Sequence, residues 1–62
     1  MNCGQALSMV RLGYRVFRAT WPQGQVVILA AGKTQLRNKH GELTGVYTPT
    51  GDDRAAGDWQ QQ

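Results

Sequence analysis

The sequence holds one cysteine, one histidine and, across its first 41 residues, no acidic side chain at all. Each scarcity excludes something. A lone Cys3 cannot close an intramolecular disulfide. With His40 the only histidine and no second thiol, a closed zinc site made by this chain alone is excluded too. The longest apolar run, residues 26–31, falls far short of the roughly 20 residues that span a bilayer. The first residues lack the charged start and apolar core of a secretory signal. The expectation is a protein without membrane contact in a reducing, cytoplasmic setting.

Sixty-two residues make one domain, 1–62. A chain this short buries only about 60% of the surface that its unfolded form exposes. That leaves about 3–5 kcal/mol of core stability before any staple is added. Disulfide and metal being excluded, oligomerisation is the staple that remains.

Charge is divided along the chain. Arg11, Arg15, Arg18, Lys33, Arg37 and Lys39 precede every acid. Glu42, Asp52, Asp53 and Asp58 follow, against the single cation Arg54. A basic N-terminal part points to a partner carrying phosphate. The acidic C-terminal part argues against a chain that coats a nucleic-acid backbone. The alternative is that the two parts neutralise each other, within the fold or between subunits.

Local patterns give an α+β reading: one short N-terminal helix packed on a small antiparallel β-sheet, in an oligomer. Asn2 and Gln5 are spaced as a capping box. Ala6, Leu7 and Val10 follow on one face, and Gly13 is placed to end the helix, so a helix is expected over 4–12. Tyr14–Ala19 reads as a strand, and Trp21–Gly24 as a loop. Gln25–Ala30 is the strongest strand signal, apolar enough for both faces to be covered, the second by another subunit. Ala31-Gly32 is a turn and Thr34–Arg37 a short strand. Asn38–Gly41 is a polar hairpin loop and Leu43–Thr48 a strand weakened by Gly45. Pro49–Ala56 is a loop or a single helical turn. Gly57–Gln61 is a last strand carrying Trp59, and the terminal glutamines are expected to fray.

Catalytic sets are poorly represented. Cys3 lies on the apolar side of the helix start and His40 in a turn, so the two do not form an evident nucleophile and base. Asp52, Asp53 and Asp58 are the only clustered carboxylates; paired carboxylates can serve acid–base chemistry or hold magnesium. Thr50-Gly51-Asp52-Asp53 also fits a helix cap. No phosphate-loop glycine pattern is present. The aromatics say more. Trp21 stands beside Arg18 and Thr20, an aromatic face with a guanidinium and a hydroxyl nearby. A base can stack on such a ring for about 1–3 kcal/mol, and a guanidinium can take a phosphate. The same tryptophan would serve equally as core.

Two stretches carry a resemblance. The first is Met1-Asn2-Cys3-Gly4-Gln5-Ala6-Leu7, with Gly13, Val16, Arg18, Ala19 and Trp21 after it. The second is Tyr47-x-Pro49-Thr50-x-x-Asp53-x-x-Ala56-x-Asp58-Trp59. Together they resemble the Thoeris anti-defense 2-like family of small, mostly phage-encoded proteins. These tend to open Met-Asn-Phe-Gly-Glu-Ala-Leu and to close Trp-x-Pro-Ser-x-x-Asp-Leu-Leu-Ala-x-Asp-Trp. Here Cys3, Gln5, Thr20, Tyr47 and Arg54-Ala55 depart from that pattern, and residues 25–46 are shorter than is typical. The resemblance implies a sponge, not an enzyme. It would bind signalling cyclic nucleotides (cyclic ADP-ribose isomers such as glycocyclic ADP-ribose, or cyclic dinucleotides) without cleaving them. It would do so as a homotetramer with pockets between subunits, in the infected cell's cytoplasm, needing no cofactor or metal. By match to the motifs, Arg18 would meet a phosphate and Trp21 stack on a base, with Thr20 beside it. Tyr47 and Thr50 would line the pocket, and Asp53 would accept from a ribose hydroxyl or an amine. Trp59 would be core, and Asp58 a structural partner of a backbone group or of Arg18. The competing readings are a basic nucleic-acid-binding module and a module that binds a host protein.

Overall fold

The computed structural model describes residues 1–62. Its elements are α1 (Cys3–Arg11), β1 (Val16–Arg18), β2 (Val26–Ala30), β3 (Lys33–Arg37), β4 (Leu43–Val46), α2 (Gly51–Ala55) and β5 (Trp59–Gln61). The fold is α+β, as expected: the N-terminal helix lies on a five-stranded antiparallel sheet ordered β4-β3-β2-β1-β5.

α1 begins where its cap dictates. The Gln5 amide donates to Asn2 Oδ1 at 2.8 Å, and the Asn2 amide donates to Gln5 Oε1 at 3.0 Å. This reciprocal pair satisfies two of the amides that a helix start leaves free. The helix ends one residue earlier than the spacing predicts, with Leu12 as its cap and Gly13 in the left-handed region at φ 98°. Cys3, Ala6 and Val10 recur at helical spacing and face Val16, Val27 and Trp59. These six side chains are the core cluster, and burying them is what holds so short a helix in place.

Some expected strands are shorter in the structure. β1 loses Tyr14 to the helix end, where the Tyr14 amide donates to the Met9 carbonyl. It loses Ala19 to the turn that the Trp21 amide closes on the Arg18 carbonyl at 3.0 Å. β4 stops at Val46, although the Tyr47 amide still reaches the Thr34 carbonyl at 2.9 Å. Gly45 (φ 121°) accompanies a register shift between Leu36 and Arg37, the irregularity that a glycine inside a strand foretold. Ala31 and Gly32 both have positive φ (53° and 75°) and form the two-residue β2–β3 turn. The apolar run of β2 is covered unevenly: Val26 and Val27 are buried, Ile28 is half-buried and Leu29 is exposed.

The terminal glutamines do not fray. Gln60 and Gln61 pair with Phe17 and Val16, and the Gln62 amide donates to the Arg15 carbonyl at 2.9 Å. β1 has only β2 on one side, so the C-terminal strand supplies its second partner. At the opposite edge β4 pairs only with β3, its outer side open and Leu43 and Val46 exposed.

Candidate functional site

Asp53 is the one buried polar side chain. It is the third residue of α2, and Thr50 is that helix's cap: the Asp53 amide donates to Thr50 Oγ1 at 3.1 Å and the Thr50 amide returns a bond to Asp53 Oδ2 at 3.3 Å. The helical turn anticipated for Pro49–Ala56 is thus a second capping box. What makes it more than a cap is the rest of the carboxylate's surroundings. Arg18 donates from Nη1 to Asp53 Oδ1 at 3.0 Å and from Nε to Asp58 Oδ1 at 3.0 Å. The Tyr47 hydroxyl donates to Asp53 Oδ2 at 2.6 Å. Behind it, Trp59 Nε1 donates to the Asp53 backbone carbonyl at 3.1 Å. Of the basic N-terminal residues, Arg18 alone meets acids here, Asp53 and Asp58, inside one subunit.

The ionisation states follow from this network. Burial pushes the Asp53 carboxyl up, but the bonds from Tyr47, Arg18 and Thr50 outweigh burial and hold it below the ordinary carboxylate range. Burial, then the bond to Asp53 and its negative charge, push the Tyr47 phenol far above its usual value. Bonds to Asp58 and Asp53 fix Arg18 as a cation. At neutral pH the group is a carboxylate, a neutral phenol and a guanidinium shared between two acids.

Three aromatic rings cap the network. Trp21 meets Trp59 at 5.2 Å and Tyr47 at 6.0 Å, and Tyr47 meets Trp59 at 6.3 Å, all edge to face. Trp59 is fully buried, whereas Trp21 is only half-buried. The core thus ends in a tryptophan that still faces outward.

Beside Trp21 opens a cleft of about 450 Å³, within the range that small-molecule sites occupy. Trp21, Tyr47, Thr50 and Asp53 line it, four of the six residues singled out for ligand contact from the sequence. Arg18 and Thr20 do not line it: Arg18 is turned to its two carboxylates and Thr20 is exposed in the turn before Trp21. Asp58 and Trp59 stand behind the wall, as partners of Arg18 and of the Asp53 carbonyl.

The other wall was not foreseen. It is β4 and its exit (Thr44, Gly45, Val46 and Thr48), with Leu36 on β3 and Gln25 before β2. The one signal for it was Gly45, which leaves open space where a Cβ would stand. Cys3 and His40 are far apart in role: Cys3 is buried in the core, and His40 is exposed in the β3–β4 turn. No three His, Cys, Asp or Glu side chains converge to hold a metal ion, and no helix is long and apolar enough to cross a membrane.

The family model described as Tad2-like, Thoeris anti-defense 2-like domain, matches residues 1–61. No curated protein matches the chain.

Proposed function

This chain belongs to the Thoeris anti-defense 2-like family, and from that premise we propose that it acts by sequestering a signalling cyclic nucleotide without cleaving it. The observation that carries the reading is the convergence of Trp21, Tyr47, Thr50 and Asp53 on one cleft from two distant stretches of chain. An aromatic plate, hydroxyls and one carboxylate are what a base and its ribose require: stacking on one side and hydrogen bonds on the other. The preferred ligands are cyclic ADP-ribose isomers, with cyclic dinucleotides as the second class.

The residues take these roles. Trp21 stacks on a base, and Tyr47 and Thr50 form the wall. Asp53 accepts from a ribose hydroxyl or an exocyclic amine. Arg18 orients Asp53 from behind, and Thr20 stands at the exposed rim for ligand parts that extend beyond the cleft. Asp58 and Trp59 support Arg18 and the aromatic plate. Because these side chains are held by one another before any ligand arrives, little binding energy is lost in ordering them. Sequestration works by mass action and needs a dissociation constant of about 1 nM, roughly −12 kcal/mol.

Self-association belongs to the same proposal, with a homotetramer as the expected state. The unpaired edge of β4, with Leu43 and Val46 exposed, supports it.

The test is capture and release. Protein is mixed with cyclic ADP-ribose isomers and cyclic dinucleotides and filtered, and the retained fraction is heated. Loss of a nucleotide from the filtrate and its intact return on heating supports sequestration. Return of a cleaved product makes the protein an enzyme. If nothing is captured, the reading is wrong.

A further inference from the structure

The cleft has a polar wall but no cation. No lysine, arginine or histidine lines it. Its single charged group, Asp53, is already paired with Arg18 at 3.0 Å. A carboxylate offers about four lone-pair directions, and Arg18, Tyr47 and the Thr50 amide take three of them. Arg18 in turn serves a second acid, Asp58, at 3.0 Å, so the three charges around it sum to minus one. A phosphate brought to this wall would find no counter-charge and a net negative cluster behind it. What the wall does offer is uncharged: the Gln25 carboxamide, the hydroxyls of Thr44, Thr48 and Thr50, and the ring of Trp21.

We infer that the cleft takes the uncharged base-and-ribose part of its ligand and leaves the phosphates outside. The inference rests on the nucleotide reading above and makes it more specific: selectivity resides in a nucleoside, and charge contributes little to affinity. It parts from the expectation that Arg18 supplies a phosphate contact, because that guanidinium does not line the cleft and is held by two carboxylates.

Salt separates the two possibilities. Raising salt from 0.1 to 1 M shortens the Debye length from about 10 to about 3 Å. Equilibrium dialysis is run on the full chain with three probes, adenosine, inorganic pyrophosphate and cyclic ADP-ribose, at both salt concentrations. The expected result is that adenosine binds and competes with cyclic ADP-ribose, while pyrophosphate does neither. Affinities should change less than about twofold with salt. Thr48→Val, on an exposed side chain, should weaken adenosine about fivefold by removing one hydrogen bond.

Competition by pyrophosphate, or an affinity that falls more than about tenfold with salt, overturns the inference while leaving sequestration intact. Binding of adenosine without any cyclic nucleotide upholds the inference and sinks sequestration. Binding of none of the probes overturns the inference, and sequestration is then decided by the cyclic dinucleotides of the capture test.

Discussion

Arg18 and Asp53, 35 residues apart in sequence, meet at 3.0 Å and fasten β1 to α2. The same guanidinium reaches Asp58 just before β5, so one side chain ties together three segments of a very small fold. Buried pairs of this kind are costly to break singly, because the partner is left without compensation.

Asp53→Asn removes the charge but keeps the size. The amide cannot serve Arg18, Tyr47 and the Thr50 amide as a carboxylate does. A loss of about 2–3 kcal/mol is expected, a large share of the stability open to a domain of this size. Urea unfolding measures it; a change under about 0.5 kcal/mol would show that the network contributes nothing to stability.

Stability should also depend on pH through Asp53 and its hydroxyl donor Tyr47. The folded-state value of Asp53 is depressed, so its contribution is present above the unfolded value of about 4 and is lost as pH falls through the folded one. Tyr47 is raised, so its contribution is present below about 10 and is lost at higher pH. Melting temperature should form a plateau between these limits. In Asp53→Asn the acid limb should flatten, and an unchanged acid limb would assign the titration to another group.

The β2–β3 turn carries an avoidable strain. Ala31 adopts φ 53° without the glycine or asparagine that tolerates that region. Ala31→Asn makes an Asn-Gly turn and should stabilise by about 0.5–1 kcal/mol, raising the melting temperature by about 3–6 °C. No gain in thermal unfolding would mean that the turn is not strained.

The two tryptophans should separate function from folding. Trp59 is fully buried at the centre of the core, and Trp59→Ala should cost about 3–5 kcal/mol, enough to unfold the chain. Trp21→Ala removes a half-buried ring at the cleft. It should abolish nucleotide capture while leaving the chain folded and its assembly state unchanged. Dissociation or unfolding of Trp21→Ala would move that residue from the ligand to the core or interface.

Features that lie within a few residues of one another were readable from the sequence. The Asn2–Gln5 capping box, the cap character of Thr50, the apolar face of α1 and the irregular β4 glycine each depend on neighbours along the chain. What could not be read depends on which strands meet. Gln60 and Gln61 fall in the expected last strand, but that β1 is its partner and keeps them from fraying is not a local fact. Arg18 beside Asp58 is readable from the sequence, but that α2 also brings Asp53 to it is not. The β4 wall of the cleft looked like ordinary strand, because Thr44 and Thr48 acquire meaning only opposite Trp21. The charge division along the chain is visible in the sequence, and the pairing of Arg18 with two of the acids is a tertiary fact.

The Trp21–Trp59 contact at 5.2 Å also equips the protein with an internal optical gauge. The two indoles occupy unlike surroundings, one sealed and one at the mouth of the cleft, so their emission maxima differ. Their closeness allows excitation to pass between them and couples their near-ultraviolet dichroism. A base stacked on the outer ring would quench its emission and disturb the coupling while the inner ring stays sealed in the core. Occupancy of the cleft can therefore be followed by light alone, on the unlabelled chain, separately from the integrity of the core.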